Sequence, residues 1–223
     1  LSLNLIHQDG LKLLSKTIMM NNQLTLDLDD IKQAVILGNG ESRLGRDFRK
    51  EFPGAFVYGC NGAYRECPDA LICTDVYMQH LIYSTGYCKE HLCYFSEWSQ
   101  LPEIMIDQWI SSTFGKLVEN KRTGRCQGVV SGTEKCTYIT WVDDKDMVKP
   151  IVELQMSSGS RALLSACESG RFKEIILCGF DGMGAKNVYH STEGYERSTP
   201  REVWVEERQT IMDQFPEINF VCG

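Results

Sequence analysis

The sequence lacks several features that mark particular classes of protein. No run of apolar residues is long enough to span a bilayer, and no signal-peptide pattern opens the chain. The ten cysteines include no CxxC pair and are spread along all 223 residues, so we expect reduced thiols and a cytoplasmic location. No internal repeat and no low-complexity segment occurs, so an ordinary folded protein is expected.

Positive charge is also scarce. Lysine and arginine number 23 against 30 aspartate and glutamate residues, which gives a formal net charge of −7 and a pI of about 5.2. A broad, non-specific nucleic-acid surface is therefore not expected, although a nucleic acid as an acceptor substrate stays open. Hydrophobic residues, by contrast, make up 43% of the chain, which is enough to bury one large core or two small ones.

The stretch QAVILGNGES, residues 33–42, organises the rest of the chain. Four apolar residues run into Gly38-Asn39-Gly40, and a helix-like stretch follows from Leu44 to Phe52. A continuous apolar run closed by glycines is typical of a buried parallel strand that opens into a tight loop. Such a loop brings backbone N–H groups close to a phosphate, so the stretch is either a nucleotide-binding loop or an ordinary strand-to-helix turn.

Three further polar residues stand at the ends of predicted strands. Asn61, Asp75 and Asp181 each close an apolar run, as Asn39 does. The carboxyl ends of parallel strands share one edge of a sheet, where ligands bind, so we expect these side chains to gather there. Asparagine amides suit the base, ribose or phosphate of a nucleotide, whereas carboxylates repel phosphate unless a cation or a hydroxyl lies between.

A second anion site is predicted near residue 158. Ser157, Ser158 and Gly159 precede a helix that we expect to run from about Ser160 to Glu168. Serine hydroxyls and the N–H groups at a helix start bind anions, although simple N-capping is the alternative.

The order of these elements predicts an α/β fold. We expect a Rossmann-like, mostly parallel sheet with helices on both faces, in a single domain over 33–223. Residues 1–32 are interpreted as an N-terminal extension, and about 96–137 as a lid or insertion. His190 lies in a polar loop before a helix predicted over about 200–215, and histidine is a natural general base near neutral pH.

Together these motifs resemble the bacterial lipooligosaccharide sialyltransferases. ILGNGES followed by YGCNGAYR is similar to their nucleotide-sugar site, SSGSRALLSACESGRFKEIILCGFDGM is similar to a later block, and YHSTEG stands where they carry a catalytic histidine loop. The resemblance implies transfer of a sugar from a cytidine monophosphate (CMP) donor to an acceptor hydroxyl without a metal, with His190 as the base. It also implies a set of nucleotide-binding residues: Gly38, Asn39, Gly40, Asn61, Ser158 and Gly159.

Two positions depart from that family's pattern. Glu41 replaces the usual proline of the first loop, and of the tyrosine segment that binds the departing phosphate only Tyr189 remains. Of the tyrosine segment, we therefore expect Tyr189 to contact the donor.

The segments PDALICTD and GFDGMGAKNVYH resemble two segments of a second, related family. It holds the flagellar motility accessory factors and the archaeal 6-hydroxymethylpterin diphosphokinase, and its wider superfamily includes phage members. This resemblance implies that Asp75 and Asp181 hold Mg²⁺ on a nucleotide diphosphate, and that pyrophosphate passes from ATP to a small alcohol such as a pterin.

The sequence therefore leaves three functions open. The leading hypothesis is a glycosyltransferase that uses a nucleotide-sugar donor and a hydroxyl acceptor, with Asp75 and Asp181 contacting either sugar hydroxyls or Mg²⁺. The alternatives are the diphosphokinase-like enzyme and a non-catalytic nucleotide-binding protein on the same fold. Self-association into a homo-oligomer also stays open.

Overall fold

The computed structural model describes most of the chain, in segments. The described residues are 31–96, 98–100, 115–119, 126–131, 136–142, 145–151, 156–181, 187–189, 192 and 202–223.

Eleven strands occur in the described residues. In chain order they are β1 (Gln33–Leu37), β2 (Phe56–Cys60), β3 (Ala70–Cys73), β4 (Cys93–Phe95), β5 (Trp98–Gln100), β6 (Gly115–Glu119), β7 (Cys126–Ser131), β8 (Cys136–Val142), β9 (Val148–Pro150), β10 (Glu174–Cys178) and β11 (Asn219–Cys222). Seven of them form one sheet in the order β11-β10-β1-β2-β3-β4-β9, and every pair in it is parallel. The remaining four form a mixed sheet in the order β5-β8-β7-β6.

Helices cover both faces of the parallel sheet. They are α1 (Phe48–Glu51), α2 (Val76–Ser84), α3 (Ser158–Glu168) and α4 (Glu202–Gln214). Alternate residues of β1 point to opposite faces: Ala34 and Ile36 join the core that contains residues of α3 and α4, whereas Val35 and Leu37 pack with Phe48 of α1. The Rossmann-like α/β fold expected from the sequence is confirmed.

Two helix boundaries differ from those expected. In place of one helix from Leu44 to Phe52 there is a short 3₁₀ helix, Glu41–Arg43, and then the four-residue α1. Gly45 separates these two short helices, because its φ of 74° lies in the left-handed region, outside the helical range. Helix α3 begins two residues earlier than expected, since the Ser157 hydroxyl caps it by accepting a hydrogen bond from the N–H of Ser160.

The predicted insertion falls where the second sheet forms. Strands β5 to β8 lie between β4 and β9, which are neighbours in the parallel sheet. Val142, at the end of β8, is buried in the same hydrophobic cluster as Ile82 of α2. Whether this region acts as a lid stays a prediction. Within the described residues, no helix combines the length and apolar character needed to cross a bilayer.

Candidate functional site

The chain reverses its direction of travel across the sheet at β1. Strands β2, β3, β4 and β9 follow on one side of β1, and β10 and β11 return on the other. The carboxyl ends of the two strands beside such a reversal usually flank the ligand crevice of an open α/β sheet. Here the two loops are hydrogen-bonded to each other, since Gly38 N–H donates to Cys178 O (2.8 Å) and Gly40 N–H to Gly179 O (2.7 Å).

The glycines of the Gly-Asn-Gly motif are required by this close approach. A Cβ on Gly38 would lie 2.4 Å from the carbonyl oxygen of Gly179, and a Cβ on Gly40 would lie 2.5 Å from Cγ of Asp181. Both distances are far shorter than a carbon atom tolerates, so a side chain at either position would force the loops apart. The motif therefore has a structural cause in addition to the predicted contact with a nucleotide.

Asp181 holds the loop after β1 in place. Its carboxylate accepts hydrogen bonds from the N–H of Ser42 (2.8 Å) and from the Ser42 hydroxyl. Each of the two carboxylate oxygens receives one of these bonds, and the 3₁₀ helix Glu41–Arg43 is thereby anchored to the loop after β10.

Ser158 connects the ends of β2 and β3 with the start of α3. Its hydroxyl donates to Asn61 Oδ1 (2.9 Å) and accepts from the N–H of Thr74 (3.0 Å). The Thr74 hydroxyl lies 2.8 Å from the same oxygen. Because Ser158 has one proton, already given to Asn61, the Thr74 hydroxyl must donate here. The structure thus brings together Asn61 and Ser158 as expected, and adds Thr74, which the sequence analysis missed.

Asn39 lies at the same edge and is half-buried. Its carbonyl accepts from the N–H of Val188 (2.8 Å), and Cys60 Sγ lies 4.0 Å from its side-chain Oδ1. The Cys60 thiol also donates to Leu37 O (3.1 Å), and burial raises its pKa to about 12, so it remains a protonated donor. Asn39 is therefore placed between the end of β2 and the 187–189 segment.

Gly159 faces an aromatic ring. A Cβ at this position would lie 3.0 Å from Cε1 of Phe180, which is a tight contact, so glycine eases the approach of α3 to the ring. The guanidinium carbon of Arg208, on α4, lies 5.1 Å from the centre of the Phe180 ring, and Arg208 donates weakly to Phe180 O (3.5 Å). Burial lowers the pKa of Arg208 from its ordinary value, although arginine stays charged. Neither Phe180 nor Arg208 was singled out from the sequence.

A carboxylate of the chain lies at the predicted second anion site. Glu207, the neighbour of Arg208 on α4, accepts from the N–H of Ser157 (3.1 Å), and the Ser157 hydroxyl lies 3.0 Å from the same oxygen. A negative charge is favourable here because it faces the positive end of the α3 dipole.

Asp75 is exposed and caps a different helix. Its Oδ1 accepts from the N–H of Met78 (2.8 Å), in the first turn of α2, so Asp75 is the N-cap of that helix. Behind it the fully buried Gln79 donates to Cys73 O (2.8 Å) and to the Ser96 hydroxyl (2.9 Å), which ties the end of β3 to the end of β4.

The two carboxylates that the diphosphokinase resemblance assigns to Mg²⁺ thus already have structural partners. Asp181 accepts from Ser42 with both oxygens, and Asp75 uses one oxygen as a helix cap. In the part of the chain that the structure describes, no three His, Cys, Asp or Glu side chains are grouped closely enough to hold a metal ion. Mg²⁺ binding by this pair stays a prediction.

Tyr189 belongs to a buried polar cluster with Arg43 and Glu66. Arg43 is only 6% exposed, and its Nη1 donates to both Glu66 oxygens (2.6 and 2.7 Å). Its Nη2 donates to the Tyr189 hydroxyl (2.6 Å), which in turn donates to Glu66. Burial alone would lower the pKa of Arg43, but the hydrogen bonds and charge of Glu66 raise it, so the guanidinium is charged. Burial, reinforced by Glu66, raises the pKa of Tyr189 and keeps its hydroxyl protonated.

The expected catalytic base lies outside the described residues. His190 follows Tyr189 directly in the sequence. The preceding residues are fixed to the first loop, because Asn187 forms an isolated bridge with Gly40 and Val188 is hydrogen-bonded to Asn39.

Comparisons of the chain with protein-family models, with curated proteins and with solved structures gave no significant match. The family resemblance therefore rests on the motifs of the sequence, and the geometry described above is the independent basis for a functional proposal.

Proposed function

We propose that this protein is a glycosyltransferase that moves a sugar from a nucleotide-sugar donor, of the CMP-sugar type, to an acceptor hydroxyl. The observation that supports this most is the hydrogen-bonded group around the Ser158 hydroxyl, which joins Asn61 and Thr74 at the carboxyl edge of the sheet. Residues from two strand ends and one helix start meet there, next to the reversal point of the sheet, where α/β proteins bind nucleotides.

The donor nucleotide is assigned to the space bounded by Asn39, Asn61 and the start of α3. Asn39 and Asn61 are half-buried and carry amide groups that suit the base or ribose. The first N–H groups of a helix have no acceptor within the helix. Glu207 takes the N–H of Ser157, so the next two, those of Ser158 and Gly159, are the proposed ligands of the donor phosphate. Arg208, which lies over Phe180 beside Gly159, supplies a positive charge near this helix start, where Glu207 supplies a negative one.

The proposed chemistry is a direct displacement at the anomeric carbon. His190 takes the proton of the acceptor hydroxyl, and the acceptor oxygen forms the new bond to that carbon. The bond from the carbon to the donor phosphate oxygen breaks, and its electron pair leaves with the nucleotide. The carboxylates at the edge do not need to bind a metal in this scheme, which agrees with the structural hydrogen bonds of Asp181 and Asp75.

A thermal-shift screen tests this proposal. CMP, UDP, GDP, ADP and ATP are each added with and without Mg²⁺. We expect CMP to raise the melting temperature without Mg²⁺, because a ligand that binds only the folded state stabilises it. Stabilisation by ATP alone, and only with Mg²⁺, would favour the diphosphokinase-like enzyme instead. No shift with any nucleotide would contradict both enzyme hypotheses.

A matched pair of variants locates the site. Asn39→Ala should remove the CMP shift, because it deletes the amide nearest the reversal point. Asn219→Ala serves as the control, since Asn219 begins β11 at the opposite edge, where its amide donates to Glu174 (2.7 Å). An equal loss of the shift in both variants would argue against the proposed location.

A further inference from the structure

We infer that Arg43, Glu66 and Tyr189 are positioning residues that hold the donor-binding loops in one fixed arrangement. This inference rests on the proposed function, because it concerns how that site is held in shape. The three side chains come from three separate segments: the 3₁₀ helix after β1, the 3₁₀ helix Asn61–Glu66 after β2, and the segment 187–189.

The cluster is linked along the chain to the two residues whose amides are assigned to the donor. Arg43 follows Asn39 by four residues, and Glu66 ends the 3₁₀ helix that Asn61 begins. The ion pair between Arg43 and Glu66 (2.6 Å) therefore fixes the loop that carries Asn39 relative to the loop that carries Asn61. Because the arginine is buried, little water competes on its side of the pair. Its Nη1 contacts both Glu66 oxygens and its Nη2 the Tyr189 hydroxyl, so rotation of the guanidinium is restricted.

Tyr189 brings the third segment into the same unit. Its hydroxyl bonds both Arg43 and Glu66, and its ring packs under the Arg65 guanidinium, whose carbon lies 5.1 Å from the ring centre. The neighbouring Val188 N–H donates to the backbone carbonyl of Asn39. A shift of Tyr189 would thus pull directly on the backbone that presents the Asn39 amide.

The loop after β10 is tied to the cluster as well. Gly179 has a φ of 72°, and a Cβ there would lie 2.8 Å from Cδ of Arg43, so the arginine stem passes directly against its backbone. Arg43, itself in the loop after β1, thus contacts the loops after β2 and β10 and the segment 187–189.

The test variant is Tyr189→Phe, which keeps the ring and deletes only the hydroxyl. Tyr64→Phe is the control, since Tyr64 lies in the same 3₁₀ helix as Glu66 but places its ring against Tyr87 and Arg65. We expect Tyr189→Phe to weaken CMP binding about fivefold in isothermal titration, the loss of roughly one net hydrogen bond, and to speed amide exchange at Val188. Tyr64→Phe should change neither quantity.

Glu66→Gln is the second variant, because it keeps the side-chain shape while removing the charge that pairs with Arg43. It should weaken CMP binding at least as much as Tyr189→Phe. If wild-type protein binds CMP and both variants bind it equally well, the positioning role is wrong, even if the melting temperature falls. If wild-type protein binds no CMP, the proposed function fails first, and the inference fails with it.

Discussion

His80 is a buried histidine on α2, only 7% exposed. Desolvation lowers its pKa to about 4, because the charged imidazolium loses its hydration inside the protein. Between pH 4 and the ordinary value near 6.5 the unfolded chain binds a proton at this site that the folded chain does not. Stability from this residue is therefore fully present above pH 6.5 and is lost as the pH falls through that window.

We predict that titration of His80 makes the free energy of unfolding about 2 kcal/mol lower at pH 5 than at pH 7. Urea denaturation of the wild type and of His80→Gln at both pH values isolates this effect, because the other titrating groups cancel in the difference. The variant should lose about 2 kcal/mol less than the wild type over this range. Equal pH dependence in the two proteins would show that His80 is not buried in its neutral form.

At the residue scale, strand ends could be located from the sequence but partners could not. Asn61 and Ser158 were assigned to one site, and they are hydrogen-bonded, because apolar runs reveal where strands stop. The anions that face Arg43 and Ser157 were not foreseen. They are Glu66, 23 residues away, and Glu207, 50 residues away, and no local pattern encodes contacts at such separations.

At the element scale, the ends of two helices were located closely from the sequence. Helix α3 ends at Glu168, as expected, and α4, Glu202–Gln214, lies within the predicted 200–215. The helix expected after β1 was wrong, because a left-handed Gly45 divides it and tertiary contacts to Asp181 and Glu66 hold the 3₁₀ turn that replaces it.

The junction of the loops after β1 and β10 gives a prediction at this scale. Gly179→Ala should lower the free energy of unfolding by at least 2 kcal/mol more than Gly54→Ala, by the rough costs of a strained backbone and overpacking. Both glycines have positive φ, 72° and 83°, so the alanine variants share the backbone cost. Only at Gly179 would the new Cβ also meet other atoms, 2.8 Å from Arg43 Cδ.

Chemical denaturation with a shared m-value measures this difference. Gly54 serves as the matched control because a Cβ there would meet nothing within 4 Å. If the two variants lose equal stability, the loops do not approach as closely as described, and the structural reason for the Gly-Asn-Gly motif fails.

At the scale of the whole molecule, the parallel sheet determines where function is possible. Strands β1, β2, β3 and β10 are buried runs, and because they are paired in parallel their carboxyl ends share one edge. The fold class could thus be predicted from hydrophobic patterning, whereas the substrate could not, since few residues set it. The formal charge of −7 makes a small anionic ligand dependent on local donors such as the start of α3.

Release of nucleotide from a CMP-sugar tests the central claim most directly. The protein is incubated with CMP-sialic acid, with water as the acceptor hydroxyl, and free CMP is quantified by chromatography for the wild type and for His190→Ala. We predict steady release by the wild type, release at least about 100-fold slower in His190→Ala, and an unchanged thermal shift with CMP in that variant. Release at the same rate in both proteins, or none from the wild type together with no CMP shift, would contradict the account.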